Sequence, residues 1–289
     1  MDRSARSRLA TLALVAIASL TACSSGGSSN ADHLVGTYAS PEGKPLVSSV
    51  TDVKRSDGSV ALDIVQRKSD SQQVIALYNV EHTQTMHLVA VNDDFTEFQH
   101  VHPMLDAKTG HFTQTLEVDP TRRYYVYADT EPTGLGKQVF RFTLQPSAGA
   151  TSASRPISSS PSPAKTTASP YTVSLSKTTL HAKTPQEIDV AIDRAGKPAT
   201  DLRPYLGAAA HVVLLNTSTL VYAHVHPMLA GATHSMKAMS EMEMANEKPE
   251  AGPRMMMHLD ALPAGTYKMW LQFQGGPTVY TVPLTLVAR

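Results

Sequence analysis

Histidines at a repeated spacing are the residues of this chain best suited to chemistry. The hexapeptide His-Val-His-Pro-Met-Leu occurs at 100–105 and again at 224–229. A further histidine, His87 or His211, lies thirteen residues before each copy. The nineteen residues that begin at these two histidines align without a gap, and nine positions are identical. The chain therefore contains two copies of one unit, and the imidazoles they share are suited to metal binding and to switching with pH.

Strand periodicity predicts that the histidines of each copy meet. If the strands containing His87 and His100 pair through a two-residue turn, these histidines lie directly opposite each other, and His102 shares their face. The same arithmetic applies to the second copy. A hydrogen-bond network that fixes the hairpin, or a contact that responds to protonation, is the alternative to a metal site. The predicted metal ligands are His87, His100 and His102 in the first copy and His211, His224 and His226 in the second.

Methionines follow each histidine motif and are concentrated after the second. Each proline of the motif ends its strand, so that the following Met104 or Met228 adds a thioether near the imidazoles. Thioethers select soft cations, Cu(I) foremost, although a flexible apolar surface is the other use of such residues. Further predicted ligands lie in or next to a Met-rich insertion, 230–257, and are Met236, Met239, Met242, Met244, Met255, Met256, Met257 and His258.

The remaining histidines and acidic residues have no partner that spacing reveals. His111 opens the strand after the first motif and is a weaker candidate ligand. Asp129, in an Asp-Thr-Glu sequence, is interpreted as part of a solvated turn. The other histidines, interpreted as surface residues, are His33, His82 and His181.

Both halves of the chain predict an all-β fold. Short segments rich in Val, Ile, Tyr and Thr alternate with Gly, Pro, Asp and Asn, about seven in each half. This pattern is typical of two tandem immunoglobulin-like or cupredoxin-like β-sandwich domains, and the sequence does not separate these topologies. The first is predicted at 36–144 and the second at 171–289. Between them, 145–170 is rich in Ser, Pro and Ala and is predicted to be a disordered linker.

The first residues resemble the export signal of bacterial lipoproteins. Residues 1–22 combine arginines with a short apolar run, which predicts a signal peptide, and Leu20-Thr21-Ala22-Cys23 resembles a lipobox. The resemblance implies lipidation of Cys23, a lipidated tether at 23–35, and a location in the cell envelope facing the periplasm or the outside. Cys23 is the only cysteine, so a disulfide or a blue-copper centre within the domains is excluded.

Composition excludes several other functions. Lys and Arg total 25 and Asp and Glu total 25, and no basic stripe supports nucleic-acid binding. After the signal segment no long apolar run predicts a transmembrane helix, so lipid alone would hold the protein at a membrane. No motif typical of a nucleophilic, phosphate-binding or dinucleotide-binding site occurs.

The histidine motifs, the Met tract and the predicted sandwich together resemble copper-binding and copper-resistance proteins of the bacterial envelope. The resemblance implies buffering, resistance or delivery of Cu(I) or Cu(II), without catalysis, and a copper transporter or another envelope copper protein as partner. A protein-interaction module built from tandem immunoglobulin-like domains is the main alternative. A metal-dependent enzyme is the third, and it lacks an evident general base. The spacing leaves open whether the two copies bind a metal separately or jointly.

Overall fold

A computed structural model describes residues 34–35, 37–38, 46–56, 58–146, 157–231 and 250–289. All of them belong to one compact unit, Ala31–Arg289, and they form strands and loops. Within these residues no helix is long and apolar enough to cross a membrane. The prediction of an all-β fold with two tandem β-sandwich domains is confirmed.

The first sandwich contains two five-stranded sheets. Their orders are β1-β3-β4-β8-β7 and β2-β10-β9-β5-β6, and all paired strands are antiparallel. The strands are β1 Leu34–Val35, β2 Thr37–Tyr38, β3 Leu46–Ser56, β4 Ser59–Lys68, β5 Met86–Asn92, β6 Phe98–Val101, β7 Met104–Asp106, β8 His111–Glu117, β9 Tyr124–Thr130 and β10 Gln138–Leu144.

The second sandwich repeats this arrangement with small additions. Its sheets run β11-β12-β14-β20-β19 and β13-β22-β21-β17-β18, while β15 pairs with β14 and β16 with β21. The strands are β11 Lys165–Ala168, β12 Tyr171–Leu175, β13 Thr179–Leu180, β14 Gln186–Arg194, β15 Lys197–Pro198, β16 Leu202–Arg203, β17 His211–Asn216, β18 Tyr222–Val225, β19 Met228–Leu229, β20 Arg254–Leu259, β21 Gly265–Gly275 and β22 Thr278–Ala288.

The strand order separates the two topologies that the sequence left open. In chain order, β3, β4, β8 and β7 take the places of strands A, B, E and D of an immunoglobulin sandwich, and β10, β9, β5 and β6 those of G, F, C and C′. In the second sandwich β12, β14, β20 and β19 face β22, β21, β17 and β18 in the same way. Both sandwiches are therefore immunoglobulin-like.

Part of the predicted linker is ordered structure. Lys165–Ala168 forms β11, which pairs with β12, and Ser162 donates its backbone N–H to the carbonyl of Thr285. The prediction of disorder through residue 170 is therefore wrong for this stretch. A strand at a sheet edge needs backbone hydrogen bonds more than a large apolar side-chain surface, and alternate residues here are only partly buried. Residues 147–156 of the predicted linker lie outside the described residues.

The two sandwiches pack together through their G-F-C-C′ sheets. Every residue of β5 and of β17 is buried, because one face of each strand lies in its own sandwich and the other faces the partner sandwich. Aromatic stacks join the sheets, among them Phe98 with Trp270 at 4.7 Å between ring centroids and Tyr127 with Tyr222 at 4.8 Å. The apolar residues buried at this interface are Val89, Val91, Phe95, Tyr127, Val139, Val213, Leu215 and Trp270.

Candidate metal centre

The histidine-bearing hairpins are offset by two residues from the predicted register. Val89, and not His87, lies opposite His100, and Val213 lies opposite His224. The predicted direct opposition of His87 and His100 is therefore wrong. The connection between β5 and β6 is longer than two residues, and the side-chain oxygen of Asn92 accepts the N–H groups of residues 96 and 97 within it. Because the offset is an even number, the histidines still share one face.

The histidines of the two copies form one group. His87, His100, His211 and His224 each place a ring nitrogen within 4.8 Å of the others, and we call them the interior group. Across the interface, the rings of His87 and His224 have centroids 4.9 Å apart, and those of His100 and His224 are 5.1 Å apart. The first three residues are buried, and the side chain of His224 is fully buried. The potential ligand atoms of the two copies therefore lie in one group.

Outer hydrogen bonds fix the tautomers in the first half of the interior group. A carbonyl oxygen only accepts, so Nε2 of His87 donates to Glu81 (3.1 Å) and Nδ1 keeps its lone pair. The Gln272 amide nitrogen donates to Thr281, which turns its oxygen towards His100. Nδ1 of His100 donates to that oxygen (2.8 Å), and Nε2 keeps its lone pair. The two nitrogens with lone pairs lie 3.0 Å apart.

The second half repeats this arrangement with one chemical change. Nε2 of His211 donates to the carbonyl of Tyr205 (2.9 Å), and Nδ1 of His224 donates to the carboxylate of Asp129 (3.4 Å). The remaining nitrogens, Nδ1 of His211 and Nε2 of His224, lie 3.4 Å apart. In each half, the residue that orients the second histidine comes from the other sandwich. On the paired strands, His87 lies opposite Asp129 in the first sandwich, and His211 lies opposite Gln272 in the second.

These four lone pairs suit a cation. Neutral nitrogens 3.0 Å or 3.4 Å apart repel each other unless a proton or a metal ion lies between them. Metal–imidazole bonds of about 2.0–2.1 Å in a tetrahedral site place the ligand atoms about 3.3 Å apart, which is close to both distances. The buried histidines could therefore hold a metal ion.

Burial keeps the imidazoles neutral. Desolvation, with the charge of neighbouring imidazoles, lowers the pKa of His87 and His100 to about 4 and that of His211 to about 2. The pKa of His224 is lowered well below its usual range for the same reasons. Burial raises the pKa of Asp129, and the Lys137 ammonium, 3.8 Å away, opposes that rise. Around neutral pH the interior group therefore presents unprotonated ligands.

Three further histidines lie beside the interior group. The ring of His102 lies 5.0 Å from that of His87, and the ring of His226 lies 4.5 Å from that of His224. The ring of His82 lies against that of His226, with 3.6 Å between centroids and 37° between the ring planes. Nε2 of His102 and Nε2 of His226 are buried and have no hydrogen-bond partner among the described residues. Glu81, His82 and His226 also bring one ligand atom each within 4.8 Å of one another, and we call these three the rim group.

The methionines of the two motifs are not part of this arrangement. Met104 and Met228 lie on β7 and β19, which belong to the opposite sheets, and they are exposed by 78% and 42%. Their strands join the opposite sheets because the prolines before them end the G-F-C-C′ ladder. The prediction that these two thioethers lie beside the imidazoles is wrong.

The methionines of β20 divide between two faces. Met255 and Met257 are buried in the hydrophobic core of the second sandwich, so their prediction as metal ligands is wrong. Alternation along the strand turns Met256 and His258 outward, and Met256 lies opposite Met228 on β19. The other predicted ligands, Met236, Met239, Met242 and Met244, and the lipidation site Cys23 lie outside the described residues.

Sequence reasoning missed three side chains that support the histidines. His82 was expected at the surface, yet it joins the rim group because the turn at 82–83 packs against the second sandwich. Asp129 was expected in a solvated turn, yet it lies within β9 and is 1% exposed. Gln272 carried no signal of its own. His111 pairs with Asp63 at 2.8 Å in the other sheet and is not part of either group.

Comparison with known families identifies the repeated unit. A family model described as a domain of unknown function (DUF8832) matches residues 52–147 and 165–289, one segment in each sandwich. No curated protein matches the chain.

Proposed function

The chain belongs to the DUF8832 family of domains of unknown function, and we propose that it binds a copper ion between its two sandwiches. The observation that carries this proposal is the convergence of four neutral imidazole nitrogens with available lone pairs. They form two pairs, in which the nitrogens lie 3.0 Å and 3.4 Å apart. In each histidine the other ring nitrogen is engaged by a carbonyl, an amide or a carboxylate. Such outer contacts orient the ligands of protein metal sites.

Copper is the proposed metal because of the ligand type. Imidazole suits Cu, Zn, Fe and Ni, and among divalent first-row ions Cu²⁺ binds a given nitrogen site most tightly. Asp129 is buried beside four neutral ligands, and a bound cation would stabilise its ionised form. The resemblance of the histidine motifs and the Met tract to envelope copper proteins supports the same choice.

The proposed role is to hold and exchange copper rather than to catalyse a reaction. The ligands come from both sandwiches, so a bound ion links the two domains through bonds that neither makes alone. The gain from binding adds to the stability of the folded pair according to the ratio of free metal to Kd. Buffering, resistance or delivery of copper are the functions that such a site would serve.

Titration of the full chain with Cu(II) and with Cu(I), each in the presence of a competing chelator, tests the proposal. We expect at least one equivalent bound more tightly than an unfolded peptide of the same composition binds it. The variant His100→Ala/His224→Ala should lose this equivalent, whereas His111→Ala should keep it, because His111 lies outside both groups. Binding of Cu(II) that the double variant retains in full would contradict the proposal. A tighter site for Zn(II) than for Cu(II) would contradict the choice of copper.

We further propose that a lipid on Cys23 anchors the protein in the cell envelope. The lipobox-like sequence before this residue supports it. The mass of the mature N-terminus should include a diacylglycerol thioether and fatty acyl group, and Cys23→Ser should abolish both. An unlipidated mature protein would contradict the anchor.

A copper transporter or another envelope copper protein is the proposed partner. Transfer of Cu(I) between the two purified proteins measures the proposed exchange of copper.

A further inference from the structure

The rim group contains ligands that the interior group does not use. Nε2 of His226 is buried and has no hydrogen-bond partner in the part of the chain that the structure describes, and the ring of His82 lies against that of His226. One ligand atom each from Glu81, His82 and His226 lies within 4.8 Å of the others. All three residues are partly exposed, whereas three of the four histidines of the interior group are buried.

A pair of tight turns brings His82 to the second sandwich. His82 and Thr83 both have positive φ angles, of 46° and 69°, and Leu206 and Gly207 take 50° and 75° in the matching turn. A Cβ at Gly207 would lie 3.1 Å from Cγ2 of Thr83, so glycine permits the turns to approach closely. This approach places a histidine of the first sandwich beside His226 of the second.

The second repeat lacks the matching set of ligands. The offset of 124 residues maps Glu81 and His82 onto Tyr205 and Leu206, and maps His226 onto His102. Leu206 has no donor atom, and Tyr205 has no carboxylate. The residues around His102 therefore differ from those around His226, although the interior group is nearly symmetric.

We propose that Glu81, His82 and His226 form a second metal position, for a divalent transition ion that exchanges with the interior group. Two imidazoles and one carboxylate with open positions suit Zn²⁺, Fe²⁺ and Cu²⁺. The open positions and partial exposure favour rapid ligand exchange, and His226 lies next to His211 and His224, with ring centroids 4.6 Å and 4.5 Å away. An ion entering from solvent therefore meets the rim group before the interior group. This inference rests on the proposed function, because the exchange requires a metal in the interior group.

Co(II) and Zn(II) titrations of the full chain, with competing chelators, test the second position. These ions avoid the preference of the thioethers for Cu(I), and the Co(II) absorption bands report coordination geometry. We expect two equivalents in the wild type. His82→Leu should lose the weaker equivalent, and leucine already occupies the matching turn position at Leu206 with nearly the same φ angle. Glu81→Gln should weaken the same equivalent at least tenfold. His181→Leu, an exposed histidine of the second sandwich, is the matched control and should change neither equivalent.

The outcomes separate the rim group from the interior group. Two unchanged equivalents in both His82→Leu and Glu81→Gln would overturn the second position while leaving the interior site intact. No tight equivalent in the wild type would overturn both. Loss of one equivalent in His82→Leu, together with loss of the other in His87→Ala/His100→Ala, would establish two positions.

Discussion

In the first half of the interior group, His100 donates to the neutral amide of Gln272 at 2.8 Å, whereas in the second half His224 faces the carboxylate of Asp129 at 3.4 Å. The fold, the register and the lengths of the hairpins are the same in both halves. The side chain behind the second histidine differs, because it is an amide in the first half and a carboxyl group in the second. A carboxylate stabilises positive charge that reaches the imidazole from a bound cation, and an amide does so much less. The second half is therefore expected to contribute more to cation binding, although both halves supply the same ligands.

The same asymmetry extends to the aromatic stacks. Phe98 stacks on Trp270, and the matching Tyr222 stacks on Tyr127 while its hydroxyl donates to Asp129 (3.3 Å). A buried carboxylate is costly unless it is hydrogen-bonded or paired, and Tyr222 and Lys137 partly meet that need. The first repeat has a phenylalanine where no carboxylate must be satisfied. The difference between the repeats thus concerns one buried negative charge and the groups that accommodate it.

Removal of a single histidine ligand, from either half, should have the largest effect on copper affinity. His224→Ala and His100→Ala should each weaken copper binding by more than the roughly 10–100-fold that loss of an outer contact costs. His224→Ala should also destabilise the metal-free protein more, because it removes a hydrogen-bond partner from the buried Asp129. Copper competition titrations and urea unfolding measure the two quantities, with His111→Ala as control. Equal losses of stability in the two variants would contradict the asymmetry.

Exchange of the outer partners should shift affinity by a smaller amount. Asp129→Asn makes the two halves alike and should weaken copper binding by about 10–100-fold. Gln272→Glu should strengthen it, because it adds a second carboxylate behind His100. Asp63→Asn changes a histidine–carboxylate pair outside the group and serves as the matched control. Chelator competition measures all three, and an affinity that Asp129→Asn leaves unchanged would show that the carboxylate is irrelevant to the metal.

Acid should destabilise the metal-free protein. The unfolded histidines titrate near pH 6.5, while burial holds the folded pKa of His87, His100 and His102 at about 4. Between these values the unfolded chain binds more protons than the folded chain. The free energy of unfolding therefore falls as the pH falls, by about 1.4 kcal/mol per pH unit for each additional proton. Urea unfolding at pH 7 and at pH 5 measures the change.

The pH effect can be assigned to the interior group. His87→Ala/His100→Ala should reduce the slope of unfolding free energy against pH, whereas the exposed His181→Ala should leave it as it is. A slope that the double variant retains would place the responsible protons elsewhere in the protein.

The sequence predicted the sandwich fold and the shared face of the histidines for clear reasons. Alternation with a period of two residues defines the strands. A register offset of two residues, as in the pairing of Val89 with His100, leaves each side chain on the same face. The turn length was not predictable from Asp93-Asp94 alone, because the side chain of Asn92 caps a longer connection. That asparagine recurs as Asn216, which accepts two turn N–H groups in the second copy.

The joining of the two histidine sets was the largest feature that sequence reasoning missed. A contact between separate sandwiches has no spacing in the chain, and neither Asp129 nor Gln272 belongs to a motif. One signal was present: Met86–Asn92 and His211–Asn216 are apolar on both faces, including the face that carries the histidines. A strand that is apolar on both faces must be covered on both. The strand faces that carry His87 and His211 therefore had to be covered by another part of the fold.

The smallest expected effect isolates the hydroxyl that distinguishes the two stacks. Tyr222→Phe keeps the stack on Tyr127 and removes the hydrogen bond to Asp129, which makes this position identical to Phe98 of the first repeat. We expect a loss of about 0.5–1.5 kcal/mol in the free energy of unfolding of the metal-free protein. Bound copper should reduce that loss, because the cation then stabilises the carboxylate. Urea unfolding with and without copper measures both values, and Tyr280→Phe, within the second sandwich's own aromatic cluster, is the control. A loss that copper does not change would mean that Asp129 responds to the tyrosine hydroxyl but not to the metal.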